Sequence, residues 1–98
     1  MNYWLHPEAQ EDLREAAEFY REKADTALSL ALLVEFERSV GMLLQHPGLG
    51  RIWRHGKRRF LMKRFRYGLI YSVVGDQIRI LAVAHQSRRP GYWRRRTL

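Results

Sequence analysis

The sequence predicts an α+β fold in which an N-terminal antiparallel helical hairpin packs on one face of a small antiparallel sheet of three or four strands. Two observations support this prediction. Apolar residues recur at helical spacing from residue 7 to residue 46, and after residue 51 they alternate with a period of two. A length of 98 residues is typical of one domain, so we expect a single domain over 1–98. Its expected parts are the hairpin at about 7–46, the sheet at about 51–86 and a basic tail at 88–98.

Each predicted helix has a recognisable beginning. Pro7 suits the first helical position, where the N–H that proline lacks would have no partner within the helix, and this helix extends to about Lys23. Asp25 is a suitable N-cap for a second helix, which ends before Pro47 and Gly48. Because the linker between the helices is so short, they must fold back antiparallel.

The second helix carries more apolar surface than one core face needs. Its main stripe consists of Leu28, Leu32, Leu33, Phe36, Val40, Leu43 and Leu44. A second stripe lies roughly on the opposite side and consists of Ala27, Leu30, Ala31 and Val34. Either the helix is buried from two directions, or the second stripe is exposed and binds a segment of a partner. The sequence leaves both alternatives open.

The pattern in the second half of the sequence predicts β-strands. They are expected at about 58–65, 67–74 and 77–85, with a short edge strand at residues 3–5. A Gly75-Asp76 connection is typical of a tight hairpin turn, so Val74 should face Gln77.

A uniform ladder extended from that turn separates two faces. The face toward the helices would carry Tyr67, Leu69, Tyr71, Val73, Ile78, Ile80, Ala82 and Ala84. The other face would carry Arg66, Gly68, Ile70, Ser72, Gln77, Arg79, Leu81, Val83 and His85. In this register Arg66 lies directly across from His85, and the second face is expected to be cationic and at least partly open.

The charge is divided unevenly along the chain. Residues 1–46 carry nine acidic and four basic side chains, a net charge of −5, whereas residues 47–98 carry one acidic and fourteen basic side chains, a net charge of +13. Such a concentration of positive charge predicts an acidic or polyanionic partner. We expect the Arg94–Arg96 run either to fray or to become ordered only with a partner. The predicted contacts to a target or nucleic acid are Arg58, Arg59, Lys63, Arg79, Arg89 and Trp93.

One group of residues could perform chemistry. In the expected register, a histidine, two arginines and a tyrosine converge at one end of the sheet, namely Arg66, His85, Arg88 and Tyr92. These side chains could move protons and stabilise the charged transition state of metal-independent RNA cleavage. The alternative is an arginine-rich surface that is solvated or binds a protein.

Other classes of site find no support in the sequence. There is no cysteine, hence no disulfide and no thiol nucleophile, and the scattered histidines lack the spacing of metal ligands. No phosphate-binding loop or cofactor motif is present, so we expect neither a metal nor a cofactor. The N-terminus lacks the features of a signal peptide and no apolar run is long enough to cross a membrane, so we expect a cytoplasmic protein.

Taken together, four segments resemble the RelE/ParE superfamily of bacterial toxins. They are HPEAQEDL at 6–13, HPGLGR at 46–51, RRFLMKRFRYGLIY at 58–71 and ILAVAHQSRRPGYW at 80–93. The resemblance implies the toxin of a type II toxin–antitoxin (plasmid stabilisation) system, inactivated in a complex with a cognate antitoxin, which is usually the product of an adjacent gene. We assign Leu30 and Val34 to antitoxin binding on this basis. RelE-like members cleave messenger RNA on the ribosome, whereas ParE-like members inhibit DNA gyrase.

The chain departs from the RelE-like pattern at individual positions. Gly68 stands where that branch has a catalytic arginine, and Arg66 lies two residues earlier. Arg88 matches another catalytic arginine, but the tyrosine that follows in that branch falls at Arg94, with Tyr92 out of register. The long helical hairpin and the H-x-x-R-x-P ending are similar to the ParE-like branch. The resemblance therefore favours a ParE-like gyrase inhibitor, with a RelE-like endoribonuclease as the alternative.

Overall fold

The computed structural model describes residues 1–96 and places two helices before most of a five-stranded sheet. The helices are α1 (Pro7–Lys23) and α2 (Thr26–Gln45). The strands are β1 (Asn2–Leu5), β2 (Arg51–Ile52), β3 (Arg58–Leu61), β4 (Tyr67–Val74) and β5 (Gln77–His85). The predicted α+β class is confirmed. No helix among residues 1–96 combines the length and apolar character that crossing a bilayer requires.

The sheet has the strand order β1-β5-β4-β3-β2. All its pairs are antiparallel except β1–β5, which is parallel, so the sheet is mixed and has one strand more than the upper limit of the prediction. The additional strand is β2, whose two residues are too few to give an alternating pattern in the sequence. The predicted strand at about 58–65 ends at Leu61, because the next residues turn toward α2.

The helical hairpin forms as predicted. The Asp25 carboxylate caps α2 by accepting a hydrogen bond of 2.7 Å from the backbone N–H of Leu28. At the start of α1, His6 Nδ1 accepts a hydrogen bond of 3.0 Å from the N–H of Glu8. The two helices are joined laterally where the Ser29 hydroxyl donates to the carbonyl of Ala17 at 2.7 Å.

The main core lies between the helices and one face of the sheet. Its buried residues include Ala9, Ala16, Leu32, Phe36, Val40, Leu43, Leu69, Tyr71, Ile78, Ile80 and Val83. The main stripe predicted on α2 supplies four of the residues in this list, as expected from its helical spacing. Removal of this apolar surface from water is the principal contribution that holds the two layers together.

A β-bulge changes the register that the uniform ladder predicts. Tyr71 pairs with Ile80, but the preceding residue, Ile70, pairs with Ala82, so Leu81 is an extra residue in β5. Beyond the bulge Tyr67, not Arg66, lies opposite His85, and the predicted Arg66–His85 pairing is wrong.

The bulge also exchanges side chains between the two faces of β5. Val83 and His85 lie on the side of the helices, where the His85 ring meets Tyr67 edge-on at 5.0 Å. Ala82 and Ala84, which were expected there, belong to a cluster on the opposite face. The apolar run Ile-Leu-Ala-Val-Ala at 80–84 satisfies either register, which is why periodicity alone could not detect the shift.

A buried carboxylate connects α2 to the turn between β3 and β4. Glu35 accepts two hydrogen bonds of 2.8 Å from Arg38, and its Oε2 also accepts from the backbone N–H groups of Lys63 (2.9 Å) and Arg64 (3.2 Å). The Arg38 guanidinium and these N–H groups outweigh the effect of burial and lower the pKa of Glu35 to about 2.

We predict that Glu35→Gln lowers the free energy of unfolding at neutral pH by about 1.5–3 kcal/mol, because hydrogen bonds to an ionised group are lost. Urea denaturation measures the loss, and Glu37→Gln, at an exposed position of the same helix, is the matched control. Because the folded-state pKa of about 2 lies below the ordinary 4.5, this stabilisation is present above pH 4.5 and disappears as the pH falls toward 2. A difference between wild type and variant that is independent of pH would contradict this account.

Candidate partner-binding surface

The second face of the sheet is covered, not open. The segment 88–96, here called the C-terminal strap, follows β5 as a series of turns in which each of the N–H groups of Arg88, Tyr92, Arg94 and Arg96 donates to the carbonyl three residues earlier. Trp93 is only 1% exposed and packs in a second cluster with Ile70, Leu81 and Ala82. The expectation that the tail orders only with a partner is therefore wrong for the described residues; its last two, Thr97 and Leu98, lie outside them.

An ion pair fixes the end of the strap to α1. Arg96 Nη1 donates to Asp12 Oδ2 at 2.7 Å and to the carbonyl of Leu81 at 3.1 Å, and Arg96 Nε lies 2.9 Å from Glu8 Oε2. Asp12 Oδ2 also accepts from the backbone N–H of Val83 at 3.1 Å. β1 pairs with β5 only as far as Ile80, so beyond that residue the edge of β5 that faces away from β4 has no strand partner. Asp12 and Arg96 satisfy backbone groups along this edge.

Tyr92 is held in a structural role. Its hydroxyl donates to Asp12 Oδ2 at 3.3 Å, and the guanidinium carbon of Arg88 lies 4.0 Å from the centroid of its ring. Burial first, and then the negative charge of Asp12, raise the pKa of Tyr92 to about 12, although Arg96 and Arg88 oppose the shift. At neutral pH this tyrosine is therefore protonated, which is unfavourable for a general base.

Of the other two candidates for RNA cleavage, His85 lines the same recesses as Arg88 and Tyr92, and Arg66 lies apart. His85 is on the helix side of the sheet, and its Nδ1 lies 2.7 Å from the Ser87 hydroxyl and accepts from the Ser87 N–H at 3.1 Å. Arg66 is exposed and precedes β4, where its backbone carbonyl accepts from the N–H of Gln86. The structure therefore brings His85, Arg88 and Tyr92 together, but not Arg66.

The predicted target contacts are also dispersed. Trp93 is buried and unavailable to a target in this conformation, so its assignment as a contact residue is corrected: it is a core residue. Arg58 donates to the carbonyl of Gly50 at 2.7 Å and supports the loop before β2, whereas Arg79 lies near the β4–β5 turn and donates to Gln77. Lys63 and Arg89 are exposed, at the β3–β4 turn and in the strap respectively.

Arg59 occupies the most defined environment among these cations. Its guanidinium carbon lies 3.6 Å from the centroid of the Trp53 ring. Sequence reasoning missed Trp53, as it missed Asp12 and Arg96. Gly68 was the available signal for the Arg59–Trp53 contact, because a glycine inside a strand often marks the close approach of another group. No local pattern indicates that Asp12 meets residues more than seventy positions away.

The second apolar stripe of α2 is exposed. Leu30 is 56% exposed and Val34 is 67% exposed, while Ala27 is exposed and Ala31 is partly buried. The sequence allowed either a helix buried from two directions or an exposed second stripe, and the structure shows the exposed stripe. An assignment of this stripe to antitoxin binding remains a prediction.

We predict that Trp93→Ala destabilises the fold by about 3–5 kcal/mol, because a large buried side chain is removed from the second cluster. Arg94→Ala, one position further and exposed, should change the free energy of unfolding by no more than about 0.5 kcal/mol. Urea unfolding followed by circular dichroism measures both. An unchanged stability in Trp93→Ala would mean that the strap is not packed on the sheet.

The fold and the sequence were compared with those of known proteins. The chain is similar in fold to a solved structure described as a chromosomal ParDE TA (toxin–antitoxin) system from P. aeruginosa, with a TM-score of 0.77, 22% sequence identity, and coverage of 87% of this chain and 95% of that chain. No curated protein matches the chain significantly. The family described as the ParE toxin of the type II toxin–antitoxin system parDE matches residues 3–90. The chain therefore belongs to the ParE toxin family, within the RelE/ParE superfamily.

Proposed function

We propose that this protein inhibits growth by binding DNA gyrase and that a cognate antitoxin neutralises it in a toxin–antitoxin complex. Family membership supports the toxin role. The choice of a binding mechanism over RNA cleavage comes from the geometry of the residues that cleavage would require.

The observation that carries this choice is the environment of Tyr92. Its hydroxyl is bonded to Asp12, its ring contacts Arg88, and its pKa is raised to about 12. A general base has to be deprotonated near the operating pH, and Tyr92 is not. His85 lines the same recesses as Tyr92, but its Nδ1 is engaged by Ser87, and Arg66, the remaining member of the set, lies outside these recesses.

The charge distribution supports a macromolecular target. Among the described residues, Arg96 is the only base after residue 47 that forms an ion pair. The other arginines and lysines of this half keep their charge uncompensated within residues 1–96, so they produce a positive field around the sheet and the strap. Such a field attracts an acidic protein surface or a protein–DNA complex, and DNA-bound gyrase presents both.

We predict that the purified protein blocks gyrase supercoiling of relaxed plasmid in a concentration-dependent manner and that its expression arrests growth. Arg88→Ala should retain at least about half of the growth inhibition, because no charged transition state of RNA cleavage would need Arg88 for its stabilisation. Codon-specific breaks in messenger RNA should be absent after induction. Normal supercoiling at saturating protein would contradict the gyrase proposal. Messenger breaks that vanish in Arg88→Ala would favour the endoribonuclease alternative.

The antitoxin proposal depends on the exposed stripe of α2. Leucine and valine side chains more than half exposed on a helix have no role in the core, and a partner that covers them removes apolar surface from water. An amphipathic segment of the antitoxin, with apolar residues toward this stripe, would satisfy the requirement.

We predict that the double variant Leu30→Glu/Val34→Glu loses antitoxin binding by at least about tenfold in Kd, with a free energy of unfolding within about 1 kcal/mol of wild type. Leu32→Glu, two positions from Leu30 but fully buried, should prevent folding and is the contrasting control. Calorimetric titration with the product of the adjacent gene measures the affinity. Unchanged affinity in the folded double variant would exclude the stripe as the docking site.

A further inference from the structure

Arg59 is a stacked cation without an acidic partner. Its guanidinium lies on Trp53, and its Nε atom is buried with no hydrogen-bond partner within residues 1–96. Burial lowers the pKa of Arg59, and the nearby charge of Arg51 lowers it further. A buried donor on a charged group is costly when it has no acceptor, so an anion that reaches this position would recover free energy.

The sheet makes room for this side chain at Gly68. A Cβ atom on Gly68 would lie 3.2 Å from Leu61 Cδ2 and 3.4 Å from Arg59 Cγ, which is closer than side chains normally approach. The glycine therefore lets the aliphatic stem of Arg59 lie across β4. The Trp53 ring and the backbone of β4 at Gly68 hold the Arg59 guanidinium in one position. A side chain that is already fixed loses less entropy when a ligand binds.

The guanidinium borders a small recess on the second face of the sheet. The recess has a volume of about 40 Å³, and its lining includes Arg59, Trp53, Gly68, Arg88 and Arg89. A water-sized group needs on the order of 10–15 Å³ of such space, so the recess holds about three non-hydrogen atoms. That is the size of a carboxylate, and the positive charges of the lining residues Arg59, Arg88 and Arg89 are complementary to it.

A wider depression with a mixed polar and apolar lining continues from the recess to the edge of β3. It has a volume of about 320 Å³, shares Arg59 and Leu61 with the recess, and is also lined by Leu49, Arg51 and Phe60. Leu49 is 44% exposed and Leu61 is 42% exposed. Since β2 pairs only with Arg58 and Arg59, the outer edge of β3 at Phe60–Leu61 has no strand partner among the described residues. An open edge beside exposed leucines is suited to an extended peptide.

We propose that this surface binds an extended acidic segment of a protein partner along the outer edge of β3, with one carboxylate side chain seated in the recess against Arg59. Charge complementarity and the small volume of the recess favour a side-chain carboxylate over a nucleic acid, whose phosphodiester is flanked by sugars and bases. The exposed leucines match the apolar side chains of such a segment. The site is defined by its chemistry and is independent of whether gyrase is the target.

The test uses the purified full chain and a short fluorescein-labelled peptide in which leucine and glutamate alternate. Fluorescence anisotropy should show binding that weakens by at least about tenfold when glutamine replaces glutamate in the peptide, and by at least about tenfold in Arg59→Gln. Arg59→Lys keeps the charge but lacks the planar guanidinium, so it should recover only part of the affinity. In wild type, the Nε–H NMR signal of Arg59 should shift with the glutamate peptide and not with the glutamine peptide.

The matched control is Arg64→Gln, which removes the same charge from the β3–β4 turn, where the Arg64 guanidinium lies near Phe65. Its affinity for the peptide should stay within about twofold of wild type. Equal weakening in both variants, or equal binding of the two peptides, would overturn the proposal. Tighter binding of an oligothymidylate with the same dependence on Arg59 would overturn it in favour of a phosphate site. Because the supercoiling assay is separate, failure here leaves the gyrase proposal standing.

Discussion

The Asp12 carboxylate joins three parts of the fold that are distant in sequence. It projects from α1, accepts the backbone N–H of Val83 in β5, and accepts from Tyr92 and Arg96 in the strap. Because Asp12 and Arg96 are both nearly buried, removal of either would leave the other charge without compensation in a poorly solvated position. The orientation of α1, the edge of β5 and the course of the strap therefore depend on one another.

This ion pair explains why both faces of the sheet are covered. With the end of the strap fixed to α1, Trp93 is held against the second face, where it packs on Ile70 and Leu81. β5 is consequently buried on both sides around its bulge, and its run of apolar residues has no polar face to present. Catalysis by Tyr92 is disfavoured for the same reason, since its hydroxyl belongs to the network that holds the strap.

Interactions close in sequence could be predicted, and those distant in sequence could not. The two helices, the Asp25 cap of α2 and the Gly75-Asp76 turn follow from local chemistry, and the overall similarity of four segments indicated the family. The bulge could not be predicted because residues 80–84 are apolar in either register. The buried position of Trp93 and the pairing of Asp12 with Arg96 depend on where the chain returns, and an arginine-rich tail with aromatic residues is equally typical of a free, cationic segment.

The covered faces restrict where partners can bind. The exposed stripe of α2 lies on the helical layer, whereas the Arg59 recess lies on the opposite face of the sheet, so the sheet separates the two surfaces. An antitoxin helix confined to α2 would leave the recess open to a target. Neutralisation by such a contact alone would then require the target to approach α2 as well. A partner that covered both the stripe and the recess would have to extend from α2 to the edge of β3.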